Sequence, residues 1–194
     1  NPRLYGYISN FNDFFPLQNG YIKKKIILKV SDFRSAVIQG KFLAKKGLWV
    51  SEYRIESGLN CGGHAFATDG YLMGPILAEF RDKRQELIDE IYSVCKSALQ
   101  TSGKVVPDNQ LSVKITAQGG VATSEEHNFL IDHYNLDVVG WGTPFLLVPE
   151  ATTVDSKTRK QLQEAKEKDL YLSNISPLGV PFNTLKNSTK DIEK

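Results

Sequence analysis

Apolar positions along the chain follow two alternating rhythms. Residues 21–30 are rich in β-branched side chains, Ile22, Ile26, Ile27 and Val30 among them, and predict a strand. Ser31 is placed to cap a helix running to Lys46, with Gly47 just past its last turn. Residues 48–57 predict a second strand, and the small-residue loop Gly58-Leu-Asn-Cys-Gly-Gly-His64 follows at its carboxyl end. A long helix starts near Pro75 and runs to Leu99 on the stripe Ile76, Phe80, Leu87, Ile91, Val94 and Ala98. Its Arg81, Asp82, Lys83, Arg84 and Glu86 form a solvated face.

Residues 113–116 predict a third strand that leads into Ala117-Gln-Gly-Gly-Val121. Thr123 and Glu126 then have capping-box spacing at the start of a helix through His133. Residues 136–139 are a fourth strand ending in Gly140-Trp-Gly-Thr143, and Asp155 caps a charged helix to Lys168. Residues 1–20 carry Tyr5, Tyr7, Phe11, Phe14 and Phe15 with neither period, and are read as an irregular segment packed on by its aromatics. Residues 183–194 are read as a polar tail behind a single domain of residues 1–182.

Alternating strands and helices define an α/β domain with a parallel sheet of about four β/α units. A complete eight-unit barrel takes roughly 250 residues, so a chain of 194 holds about half of a TIM barrel or an open sheet.

Composition narrows the partners. At 41% hydrophobic residues the chain is globular, and no run approaches the roughly 18 apolar residues of a spanning helix. With 24 Lys and Arg interspersed among 22 Asp and Glu, it lacks a basic field for nucleic acid. Lys23, Lys24 and Lys25 run straight into Ile26 and are read as the polar lead-in to a strand. Cys61 and Cys95 lack framework spacing, which favours free thiols and the cytoplasm. The sequons at Asn174 and Asn187 argue weakly the other way.

In a parallel α/β architecture the loops after the strands' carboxyl ends gather on one edge, where ligands bind. Three such loops here are glycine-rich. Gly119 and Gly120 before the Thr123 helix, and Gly142 with Thr143 one unit later, can present amides and a hydroxyl to one phosphate. Neither a GxxxxGK[ST] nor a GxGxxG motif occurs, which removes P-loop hydrolysis and ordinary dinucleotide binding from the leading readings. A zinc site at Cys61 and His64 would have to recruit from His127, His133 and Cys95, and the two helical histidines are six apart, so a metal is not expected. His64 alone, an imidazole beside the sheet edge, suits general acid–base work. Trp141 and Tyr53 are read as packing residues, Trp141 also being placed where its ring could line a pocket.

The Gly-Gly-His loop, then Ala-Gln-Gly-Gly-Val, then Val-Val-Gly-Trp-Gly-Thr-Pro-Phe-Leu together resemble the C-terminal half of FMN-binding TIM-barrel flavoenzymes. The nitronate monooxygenase (2-nitropropane dioxygenase-like) group is the nearest in pattern, over residues 48–150. The resemblance implies an FMN-dependent oxidoreductase acting on a small-molecule substrate, with His64 as catalytic base. It places the cofactor on Gly62, Gly63, Gly119, Gly120, Gly142 and Thr143. Cys61 stands where that family carries Ala, and residues 1–47 do not resemble its N-terminal half-barrel. That half would come from a missing segment or a second chain. The other reading is a non-catalytic phosphate-ligand or protein-interaction domain, whose two exposed sheet edges suit a homodimer.

Overall fold

Each strand of the main sheet alternates between side chains that enter a core and side chains that do not, and this alternation orients the fold. The computed structural model describes residues 2–56, 73–119, 121, 123–141, 155–173, 182–188 and 192. Four parallel strands, β1 (Ile26–Val30), β2 (Val50–Glu56), β3 (Lys114–Gln118) and β4 (Val138–Gly140), lie side by side in chain order. The protein is therefore α/β with a four-stranded parallel sheet. A doubly wound sheet reverses its strand order partway across, and this one does not.

Helices α2 (Phe33–Ala44), α3 (Met73–Asp82), α4 (Arg84–Thr101) and α5 (Ser124–Tyr134) connect the strands. Leu28, Val30, Tyr53, Ile55, Ile115, Ala117 and Val139 are buried together with Phe33, Leu43, Phe80, Leu87 and Ile91 of the helices. The closest approach is at Gly40 of α2, where an added Cβ would stand 2.3 Å from the Tyr53 hydroxyl and 3.0 Å from Ile91. Glycine, the poorest helix former after proline, stays in this helix because nothing larger fits under the Tyr53 ring.

Capping chemistry sets the helix starts. Asp32, one residue beyond the expected Ser31, caps α2: its carboxylate accepts from the Ser35 amide at 2.7 Å, while the Ser31 hydroxyl donates to it at 2.9 Å. The box at α5 forms as its spacing predicts, Thr123 accepting from the Glu126 amide and donating its own to the Glu126 carboxylate. Asp155 caps α6 (Ser156–Glu164), which stops four residues short of Lys168.

Four expectations change. The long helix after Pro75 is two, α3 and α4, separated at Lys83, whose ψ of 14° leaves the helical region. Arg84 is not part of a solvated face. Its guanidinium donates to the Asn135 and Val113 carbonyls and, at 2.7 Å, to the Asp137 carboxylate, which also accepts the Ile115 amide. Long-range partners of this kind leave no periodic signal. The N-terminal segment contains α1 (Pro2–Ile8) and a short 3-10 turn at Asn12–Phe14; one helix of seven residues is too short for a 3.6-residue period to show. Finally, β5 (Leu170–Ser173) pairs antiparallel with β6 (Phe182–Leu185), so the stretch read as a polar tail starts inside a strand. The Lys23 and Lys24 ammoniums reach Asp13 at 3.2 and 3.7 Å, a local role in keeping with a polar lead-in to β1.

Candidate functional site at the carboxyl edge of the sheet

The carboxyl ends of β3 and β4 are neighbours: Gln118 lies opposite Gly140 in the register. Gly119 turns the chain away from β3 with a φ of 99°, a backbone conformation that side chains disfavour. Its amide donates to the Gly140 carbonyl at 3.3 Å. Gly119 thus supplies the turn and ties the two loops together, and amides aimed at a ligand would come from later positions. Gln118 leans over Gly140, its Cγ 3.4 Å from where a Cβ would stand. Val121 is buried below, and Thr123 opens α5.

Trp141, the residue after β4, donates its indole N–H to Nδ1 of His127 in the first turn of α5, at 2.9 Å. An imidazole that accepts at Nδ1 carries its proton on Nε2, so the bond selects one neutral tautomer. His133, by contrast, stacks on Phe129 at 4.9 Å, so the two histidines take separate roles as their six-residue spacing predicts. The His127–Trp141 pair was not legible in the sequence, since 14 positions separate the residues and only the β4–α5 packing brings them together.

The face of the sheet turned away from the helices is polar. From the amino to the carboxyl end it shows three rows. The first is Ile27, Glu52 and Lys114, the second Lys29, Arg54, Thr116 and Val138, and the third Glu56, Gln118 and Gly140. Glu52 accepts from Arg54 at 2.9 Å and from the Thr116 hydroxyl at 2.9 Å. Glu56, its side chain only 10% exposed, meets the Lys29 ammonium at 2.5 Å beside the carboxyl edge. A parallel sheet ordinarily buries apolar side chains on both faces. The signal for this departure was present in Glu52, Arg54 and Glu56 alternating with Tyr53 and Ile55.

Gly119 is the one proposed site residue whose surroundings the structure describes. His64, Gly62, Gly63, Cys61, Gly120, Gly142 and Thr143 lie outside the described residues. Tyr53 is a packing residue, and burial raises its phenol well above the ordinary range. Cys95 is a free, buried thiol that burial pushes up to about 12.

Among the described residues, fold and edge together define an α/β unit with a four-stranded parallel sheet whose strands β3 and β4 end side by side. No protein-family model matches the chain, and no curated protein does. Among the described residues no helix is long and apolar enough to cross a membrane.

Proposed function

We propose that the chain is an FMN-dependent oxidoreductase of the nitronate monooxygenase kind, or the catalytic half of one. The supporting observation is the adjacency of the two glycine-bearing strand ends, with Gln118 opposite Gly140 and the Gly119 amide on the Gly140 carbonyl. Loops leaving neighbouring strands can serve one phosphate, and the unreversed strand order is the order a barrel segment would have.

The described residues fit a flavin phosphate at this edge. Gly119 makes the turn without a side chain in the way, α5 starts directly behind it, and the Glu126 carboxylate in the first turn is engaged with the Thr123 amide. Gly120, Gly142 and Thr143 would hold the phosphate, with Gly62 and Gly63 nearer the ring. When bound, FMN supplies a two-electron acceptor. His64 takes the proton from a small carbon acid, and the neutral imidazole is the form that can do so. The partner is a small-molecule substrate, not nucleic acid or a membrane, and the free Cys95 thiol suits the cytoplasm.

A second reading rests on β1 and β4, the outer strands of the described sheet. Each presents an edge that a second copy could pair with, as a homodimeric phosphate-ligand or interaction domain would require. The visible spectrum after FMN addition and desalting separates the two. A retained flavin spectrum that is lost in Gly120→Asp supports the oxidoreductase. A colourless, stable dimer of the full chain overturns it in favour of the second reading. If flavin is retained and His64→Ala leaves turnover of every accepted carbon acid unchanged, the assignment of the base is wrong.

A further inference from the structure

At the opposite, amino edge of the sheet the polar face opens into a cavity of about 380 Å³. The segment that leads into β1 lines it with Tyr21 and Lys25, β1 contributes Ile27, and β2 and β3 contribute Ser51, Glu52 and Lys114. Trp49 and Leu111 lie beneath. Lys114 and Gln118 are four residues apart on β3, about 13 Å at 3.3 Å per residue, so this cavity is separate from the carboxyl edge.

The charges around it do not cancel. The Glu52 carboxylate is engaged by Arg54 and by the Thr116 hydroxyl. Lys25 and Lys114 make no ion pair among the described residues, although the register sets Glu52 beside Lys114. Two ammoniums around one carboxylate that Arg54 already engages leave the concavity net positive, which attracts a negative group. The rest of the lining mixes Asn19, Ser51 and Ser112 with the apolar Tyr21 and Ile27, which are 56% and 50% exposed, while Trp49 is buried with its N–H given to the Ser112 carbonyl at 2.9 Å. The volume falls within the range of small-molecule sites, roughly 300–1,000 Å³.

We infer that this cavity is a binding site for a small organic monoanion with a flat apolar body, of the class of aromatic carboxylates. The carboxylate turns toward Lys25 and Lys114, and the ring lies against Tyr21 and Ile27. The site is independent of flavin and of the chemistry proposed for the carboxyl edge.

Titration of the uniformly 15N-labelled full chain with benzoate, and separately with benzylammonium, tests this in amide spectra. Benzoate is expected to shift the Tyr21, Ser51 and Ser112 amides saturably, and benzylammonium to leave them in place. Lys25→Gln with Lys114→Gln is expected to weaken benzoate at least tenfold. Lys45→Gln with Lys96→Gln, the same charge change on the helical side, leaves it unchanged. Ile27→Asp, at an exposed position, puts a carboxylate in the cavity and abolishes benzoate binding without loss of spectral dispersion. The inference is overturned if neither probe saturates, if benzylammonium binds as well as benzoate, or if the first double variant binds like the second.

Discussion

The two faces of the parallel sheet are built from the same strands and answer to different forces. Toward the helices, Leu28, Tyr53, Ile55 and Ile115 are out of water, and every methylene counts because the neighbours are close-packed. On the other face Lys29, Arg54, Glu52 and Glu56 are held to one another by charge and hydrogen bonds in partial contact with solvent. The difference separates the work of the residues. The face toward the helices is held by packing, and the other by ion pairs and hydrogen bonds.

The comparison is broken most directly at two adjacent residues of β2. Ile55→Ala is expected to cost about 2–5 kcal/mol in urea unfolding, as large-to-small changes in a packed core do, whereas Arg54→Ala stays within about 1 kcal/mol, the range of partly exposed pairs. Equal losses would mean that the polar face is also structural. Next in size is Gly40→Ala, where the new methyl meets the Tyr53 hydroxyl; overpacking of this kind costs about 1–3 kcal/mol. Combining it with Tyr53→Phe should recover part of that loss, since the clashing oxygen is gone, and a double-mutant cycle reads the coupling.

Alkaline pH sharpens the contrast in another way. Tyr53 and Cys95 are neutral acids whose pKa values burial raises from 10.0 and 9.0, that of Cys95 to about 12. Below pH 9 both states keep these protons. Above about pH 9 for Cys95 and about pH 10 for Tyr53 the unfolded chain releases the proton while the native state keeps it, so stability falls by about 1.4 kcal/mol per pH unit for each group past its own threshold. Urea midpoints at pH 8 and 10.5 measure this, and Cys95→Ala should flatten the decline. The smallest effect is expected for Tyr53→Phe alone. Its buried hydroxyl has no hydrogen-bond partner among the described residues, so removing it should be neutral or slightly stabilising by thermal melting at pH 7.

Sequence by itself determined the α/β class, the number of parallel strands, the Thr123 and Asp155 caps, and the position of the Gly119 turn, because periodicity and capping are local and leave their mark within a few residues. It did not show the Arg84 junction, whose acceptors lie 29 to 53 positions away. Nor did it show the His127–Trp141 bond or the pairing of β5 with β6, since each joins residues that only the folded chain makes neighbours. The break at Lys83 was equally hidden, because a helix stripe reads the same through a kink. The amino-edge cavity belongs with these. Lys25, Glu52 and Lys114 are scattered in sequence, and only the folded chain brings them to one cavity, with Glu52 set beside Lys114 by the strand register.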